Sequence, residues 1–154
     1  MDIEIKLDPD RRKPGTLIIP GILAVPCLCK ADNTAAARAG NPTRNPLHKN
    51  GDTPTGTYIA TLDGPWNHTK AMLRSYGPHM VLRLEPTGGD ALTAATNGRR
   101  GLAIHGGDPA ADGISLRPTY GCPRTSNPHQ AVLTSILKMS GETKHNVKIT
   151  ERTT

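Results

Sequence analysis

The stretch that spans residues 102–124, LAIHGGDPAADGISLRPTYGCPR, has one histidine, His105, near its start and one cysteine, Cys122, near its end. The apolar run 102–104 predicts a short strand that ends at His105. The intervening residues 106–121 are rich in Gly, Pro, Asp and Ser, which predicts a loop long enough to fold back on that strand. We therefore expect the loop to bring Cys122 beside His105.

A cysteine and a histidine placed together can carry out acyl transfer, because a thiolate is a strong nucleophile and an imidazole is a base suited to forming it. An amphipathic segment follows Cys122. Asn127-Pro128 predicts the N-cap and first residue of a helix, residues 131–137 supply an apolar face, and Gly141 ends the helix. We expect the start of this helix to lower the pKa of the Cys122 thiol.

Neighbouring backbone groups complete the predicted catalytic centre. His105 is expected to take the proton of Cys122 and to return it to the leaving amine. No Ser or Asp follows His105 directly, so the backbone carbonyl of Gly106 is the expected partner that orients the imidazole. The backbone N–H groups of Tyr120, Gly121 and Cys122 are expected to form an oxyanion hole.

Two larger side chains have two interpretations each. Arg124 either binds a carboxylate of the substrate or braces the loop by donating to backbone carbonyls. Trp66, the only tryptophan, either borders the substrate pocket or fills the core, and a single tryptophan is more often buried.

Three motifs, in this order along the chain, resemble the catalytic domain of the L,D-transpeptidases, also called the YkuD domain. They are DTPTGTY at residues 52–58, His105-Gly106, and Thr119-x-Gly121-Cys122-x-Arg124 with the TSN that follows it. The similarity covers residues 50–138, and the N-terminal third matches by strand pattern alone. The family commonly has Ser-His-Gly-Cys at the cysteine, so Thr119 keeps a hydroxyl and Tyr120 replaces a histidine.

The resemblance implies a capped β-sandwich with one principal helix after the catalytic cysteine. It also implies a substrate, the tetrapeptide stem of peptidoglycan, cut between its third residue and the terminal D-alanine while Cys122 keeps the acyl group. Transfer to the side-chain amine of a neighbouring stem gives a crosslink, and transfer to water makes the enzyme an L,D-carboxypeptidase. Arg124, Thr119, Tyr120 and Trp66 are the expected substrate contacts, no cofactor is required, and the site of action is the periplasm or cell wall.

Two other functions stay open. One is an antibacterial effector that attacks the wall mainly by hydrolysis or exchange, which fits a small domain whose first residues show no apolar signal-peptide core. The other is a catalytically silent wall-binding module, which only Tyr120 and the same missing signal favour. A thiol reagent or a carbapenem separates these cases, because an inert module is not acylated at Cys122.

Other chemistries fit the sequence less well. Papain-like and wall-cleaving cysteine peptidases generally place the cysteine before the histidine, and here His105 comes first. A catalytic zinc would need three protein ligands. Besides His105 and Cys122, only Asp108 or Asp112 could supply the third, so no metal is expected. The net charge is +6, but its basic residues are scattered and one Trp with three Tyr gives no base-stacking platform. The expected partner is therefore the anionic cell wall and not nucleic acid.

The composition predicts a single mostly β domain that covers residues 1–154. Its 16 Gly and 14 Pro indicate many turns, and the apolar pattern indicates about ten strands with one principal helix. The predicted strands include 3–7, 17–19, 21–25, 57–62, 71–75, 80–84, 102–104 and 147–150.

The remaining segments are predicted as loops and buried positions. A helical turn is expected at 34–38, and segments 41–52 and 86–100 are expected to be loops, the first of which helps to exclude water from the site. Cys27 and Cys29 are expected to be buried, inert thiols. No apolar run approaches the roughly 20 residues of a membrane-spanning helix. The sequence does not predict an oligomeric state.

Overall fold

The computed structural model describes residues 1–153 and contains seven strands and four helices within them. In chain order these are β1 (Asp2–Leu7), β2 (Gly15–Ile19), β3 (Leu23–Cys27), α1 (Asn33–Arg38), β4 (Gly56–Asp63), α2 (Lys70–Tyr76), β5 (Val81–Gly88), α3 (Gly89–Thr96), β6 (Ala103–Ile104), α4 (Asn127–Met139) and β7 (His145–Glu151). All seven strands belong to one mixed sheet in the order β3-β2-β1-β7-β4-β5-β6. The mostly β class is therefore confirmed, with fewer strands than the apolar pattern predicted.

The centre of the sheet follows from alternation of apolar and polar residues. In β1 every second residue is buried, and the same alternation places Val147 and Ile149 of β7 in the core. These two strands run parallel, with Ile3 opposite Val147 and Ile5 opposite Ile149. The other strand pairs are antiparallel. Apolar side chains thus line one face of the sheet, where residues of α3 and α4 join the same core.

The predicted break at Pro20 is a tight connection between β2 and β3, in which the Ile22 N–H donates to the Ile19 carbonyl at 2.9 Å. β3 forms one edge of the sheet, so it tolerates Pro26, which has no N–H to donate to a neighbouring strand. Both predicted strands are confirmed, with shifted ends.

The prediction of a strand at 71–75 is wrong, because these residues form α2. The Thr69 hydroxyl accepts from the Met72 N–H at 3.1 Å and caps the helix, which ends before Gly77 at a φ of +79°. Ala, Met, Leu and Arg favour helices by propensity, and the segment lacks the β-branched residues typical of strands.

The prediction of a surface loop at 86–100 is also wrong. β5 continues to Gly88, and α3 follows at once with Ala91, Ala94 and Ala95 buried. α3 packs on β4 and β5 through this small-residue face, which is too short and too weakly apolar to stand out in the sequence.

α4, which spans 13 residues, is the principal helix and follows the cysteine as expected. Its N-cap is Ser126, whose hydroxyl accepts from the His129 N–H, so the cap lies one residue before the predicted Asn127. Leu133 and Leu137 are fully buried and fix the helix on the core. Within residues 1–153 no helix is both long enough and apolar enough to cross a membrane.

Candidate active site

The site lies where the two edges of the curled sheet meet. The segment that ends at Arg124 forms a parallel bridge with His105, directly after edge strand β6, and an antiparallel bridge with Leu28, directly after edge strand β3. The His105 N–H donates to the Pro123 carbonyl at 3.2 Å, and the Thr125 N–H donates to the His105 carbonyl at 3.0 Å. Cys122, two residues before Arg124, lines one cavity together with His105 and Arg124. The loop therefore returns as the sequence predicts.

His105 is held in one orientation. Its Nδ1 lies 2.7 Å from the backbone oxygen of Gly106, and the side chain is 2% exposed. A carbonyl oxygen only accepts, so Nδ1 carries the proton and Nε2 keeps a free lone pair. Burial, with the charges of Arg124 and Arg117 adding to it, lowers the pKa of His105 to about 4. The imidazole is thus neutral near pH 7 and able to accept a proton, and the expected contact with Gly106 is present.

An aromatic pair extends from the histidine. The ring of Tyr76 meets the ring of His105 edge-on with 4.9 Å between centroids, and Trp66 meets Tyr76 edge-on at 5.2 Å. Trp66 also donates from Nε1 to the Asp63 carboxylate at 3.0 Å. Trp66 is therefore a half-buried side chain packed on Tyr76, and its contact with substrate stays a prediction. Tyr76, the last residue of α2 and one residue beyond the segment predicted as a strand, was missed.

Cys122 is a free, partly exposed cysteine whose environment differs from the expected one. Helix α4 begins only at Asn127, so Cys122 does not lie at the helix start. Burial raises the pKa of the Cys122 thiol, while a backbone hydrogen bond from Ala103 and the positive charges of Arg99 and Arg124 partly oppose that shift. The expectation of a thiol acidified by the helix is wrong. The resting site holds a neutral thiol and a neutral imidazole.

Two cavities meet at Cys122. One of about 210 Å³ is lined by Ser75, Tyr76, His105, Arg117, Pro118, Thr119, Tyr120, Cys122 and Arg124. The other, of about 530 Å³, is lined by Lys49, Asn50, Tyr76, Asn97, Gly98, Arg99, Arg100, Gly101, Leu102, Tyr120 and Cys122. Tyr76 and Tyr120 border both cavities, and Tyr120 is 68% exposed. The thiol is thus approachable from two directions.

The predicted oxyanion hole is only partly available. The Gly121 N–H donates to the Thr119 hydroxyl at 2.9 Å, and that hydroxyl donates to the Cys122 carbonyl at 2.8 Å. Gly121 is therefore engaged within the loop, and the Thr119 hydroxyl holds the turn in place of contacting substrate. Within residues 1–153 the N–H groups of Tyr120 and Cys122 have no acceptor, which leaves these two donors for a developing oxyanion.

Arg99 is a buried residue of the site that the sequence interpretation missed. Its guanidinium donates to the carbonyls of Pro46, Gly51 and Asp52 at 2.5, 2.6 and 2.8 Å. The Thr53 hydroxyl donates to the Gly121 carbonyl at 2.5 Å. Gly121 itself has a φ of +108°, and a Cβ there would collide with the Arg99 guanidinium and the Gly51 carbonyl. These contacts join the loop that carries residues 41–52 to the cysteine turn.

Arg124 braces the loops. Its guanidinium donates to the backbone oxygens of Gly106, Arg117 and Ser75 at 3.1, 3.0 and 2.6 Å, and the side chain is 3% exposed. Burial lowers the pKa of Arg124 to about 10. The observed contacts therefore agree with the interpretation in which Arg124 braces the loops. They do not agree with the interpretation in which Arg124 binds a carboxylate.

The other two cysteines line neither cavity at Cys122. Cys27 and Cys29 are buried with their sulfur atoms 4.0 Å apart, as expected of structural thiols. The hydrogen bond with the Cys29 thiol, together with burial, raises the pKa of Cys27 well above its ordinary value. In the described residues 1–153 no three His, Cys, Asp or Glu side chains are grouped to hold a metal ion.

No protein-family model matches this chain, and no curated protein matches its sequence. The support for a function comes from the chemistry and geometry of the site.

Proposed function

We propose that this protein is a peptidoglycan L,D-transpeptidase that works through an acyl-enzyme on Cys122, with accompanying L,D-carboxypeptidase activity. The observation that carries the proposal is that Cys122 and His105 border one cavity while the Gly106 carbonyl leaves His105 Nε2 free as a base. Chain order, with the histidine before the cysteine, favours this class over papain-like peptidases.

The proposed chemistry has two steps. The Cys122 sulfur attacks the carbonyl carbon of the third residue of a tetrapeptide stem while His105 Nε2 takes the thiol proton. The N–H groups of Tyr120 and Cys122 stabilise the oxyanion, the C–N bond breaks, and His105 gives the proton to the leaving amine of D-alanine. An amine or a water then attacks the thioester, His105 takes its proton, and the Cys122 sulfur leaves and is reprotonated.

A neutral resting pair suits this scheme. Since the pKa of Cys122 is raised and that of His105 is lowered to about 4, the proton stays on sulfur until the substrate is in place. Proton transfer then accompanies attack, which is general-base catalysis and not reaction of a preformed thiolate.

The family resemblance gains support from the positions of its motifs. Thr53 in the upstream motif donates to the Gly121 carbonyl, and Arg124 in the last motif donates to the Gly106 carbonyl of the central one. Three sequence segments that are distant along the chain thus form one hydrogen-bonded centre. The mixed β sheet with a principal helix after Cys122 is compatible with the capped β-sandwich proposed for the fold.

Both transfer and hydrolysis are expected, because they share the thioester intermediate. The larger cavity gives an acceptor amine a route to Cys122, and the exposed Tyr120 leaves that route open to water. The loop of residues 41–52 is braced by Arg99, yet it does not seal the cavity. Tripeptide product should therefore accompany crosslinked dimers.

Product analysis tests the proposal. Disaccharide-tetrapeptides incubated with the wild-type protein should yield tripeptides, dimers joined through their third residues, and free D-alanine, as measured by mass spectrometry. Cys122→Ala should yield none, and Cys29→Ala serves as the matched control. Dimers alone would indicate a dedicated transferase, and tripeptides alone would indicate a carboxypeptidase. Unchanged tetrapeptide with a folded wild-type protein would contradict both and favour a silent wall-binding module.

A further inference from the structure

The smaller cavity is bordered by Arg117, an arginine whose donors the protein does not fully satisfy. The Nε atom of Arg117 is inaccessible to solvent and has no hydrogen-bond acceptor within residues 1–153. Arg117 lines the cavity together with Cys122 and His105. A buried donor without a partner destabilises the folded state, and such groups are rare in folded proteins. Solvent does not reach Nε, so a ligand in the cavity would contact this guanidinium through its terminal nitrogens, of which Nη2 makes one exposed hydrogen bond and Nη1 makes none within residues 1–153.

The rest of the Arg117 residue is fixed in place. Its Nη2 donates to the Arg74 carbonyl at 2.9 Å, and its own carbonyl accepts from Nη1 of Arg124 at 3.0 Å. The guanidinium of Arg117 is thus held by α2, and the backbone of Arg117 is held by Arg124 of the cysteine loop. The guanidinium is therefore oriented before any ligand binds.

The cavity also lacks a negative charge of its own. None of its lining residues is Asp or Glu, whereas Arg117 and Arg124 are both close enough to contribute to the lowered pKa of His105. Asp108 is the acidic residue whose charge acts on Arg124, yet no ion pair joins it to either arginine within residues 1–153. Because three carbonyls engage Arg124, Arg117 is the cation with a free donor.

The size of the cavity limits what the arginine can bind. Its volume of about 210 Å³ is below the 300–1,000 Å³ of ordinary ligand pockets. Such a space suits one small amino acid beside the scissile bond and not a longer peptide segment. In a peptide that ends at this point, the terminal carboxylate lies two bonds from the leaving nitrogen.

We infer that Arg117 binds the free α-carboxylate of the leaving amino acid, so that the site acts on the last peptide bond of a stem and not within a peptide. The inference rests on the proposed acyl-transfer function of Cys122 and His105. It moves the carboxylate contact from Arg124, where the sequence pattern suggested it, to a residue outside the three motifs. Charge-assisted hydrogen bonds from a guanidinium to a carboxylate are short and directional, so the contact also sets the register of the scissile bond.

Two matched acyl donors test this assignment. One is a tetrapeptide stem with a free terminal carboxylate, and the other is the same peptide with a terminal carboxamide. The rate of thioester formation on Cys122, followed by intact-protein mass spectrometry, should favour the carboxylate by about 10- to 100-fold in the wild-type protein. Arg117→Gln should remove that preference, and Arg117→Lys should keep part of it. Arg74→Gln is the matched control, because it removes the same charge from an exposed neighbouring side chain and should keep the preference.

The outcomes separate this inference from the function on which it rests. Equal acylation by the two donors in the wild-type protein would overturn the role of Arg117 and leave acyl transfer intact, and this comparison needs no variant to fold. A preference retained in folded Arg117→Gln would overturn it as well. Acylation by neither donor, with Cys122 still alkylated by iodoacetamide, would overturn the proposed function and the inference together.

Discussion

His105 and Arg124 share one hydrogen-bond acceptor, the carbonyl oxygen of Gly106, which lies 2.7 Å from His105 Nδ1 and 3.1 Å from Arg124 Nε. The same two residues are paired in a parallel bridge. The orientation of the base and the return of the cysteine loop are therefore fixed by one cluster of contacts. In the proposed mechanism this buried arginine acts indirectly, by holding Gly106 and the loop that carries Cys122.

Replacing Cys122 by alanine should abolish turnover, whereas Cys29→Ala should leave it within a few-fold. Cys122 borders both cavities beside a base, whereas Cys29 is 2% exposed and lines neither cavity. Tripeptide release from tetrapeptide stems is the measurement. Equal loss in two folded variants would contradict the assignment of the nucleophile.

His105→Ala should slow acylation of Cys122 by about 10²- to 10⁴-fold, because the variant lacks the general base. The acylation rate with a carbapenem, followed by mass spectrometry, measures the effect. His68→Ala is the control, since His68 is exposed and lies outside both cavities. An undiminished rate in His105→Ala would assign the base to another group.

The pH dependence of acylation should reflect the buried imidazole. General-base catalysis needs neutral His105, and burial lowers its pKa from 6.5 to about 4. The rate should therefore persist as pH falls through 6.5 and decline only near pH 4, because protonation of the base begins there. The test is the rate of acylation by a carbapenem, measured as a function of pH across the range from about 4 to 6.5. A decline centred on the ordinary histidine pKa would show that His105 is more solvated than the structure indicates.

Gly121→Ala should lower the free energy of unfolding by about 1–3 kcal/mol and impair acylation. Gly121 has a φ of +108°, and a Cβ there would collide with Arg99 and the Gly51 carbonyl. Gly113→Ala is the matched control, because its φ of +74° is also positive while no heavy atom lies within 4 Å of the added Cβ. Chemical denaturation of both variants separates backbone strain from the collision. Similar losses would show that the loop accommodates a larger residue.

Features with a local sequence signal could be predicted. Alternation identified β1 and the core positions of β7, and the apolar face after Cys122 identified α4. α3 was not predicted, because its buried face consists of alanines, which differ little in hydrophobicity from the residues around them. α2 was not predicted as a helix, because five apolar and basic residues in a row are too few to distinguish helical from strand periodicity.

The proximity of His105 and Cys122 was predictable for a similar reason, and the surroundings of the two residues were not. His105 and Cys122 stand out through flanking glycines and their order along the chain. The bonds from Arg99 to residues 46–52 and the contact of Tyr76 with His105 join segments that are distant in sequence, so no local pattern encodes them. The raised pKa of Cys122 likewise depends on burial in the folded chain and not on the sequence around it.

The thioester mechanism is tested most directly by the mass of the intact protein after brief incubation with tetrapeptide stems and rapid acid quench. We expect a covalent adduct with the mass of the tripeptide acyl group, located on Cys122 by peptide mapping and absent from Cys122→Ala. An adduct located on another residue, or no adduct while tripeptide accumulates in the same sample, would contradict the proposed thioester mechanism.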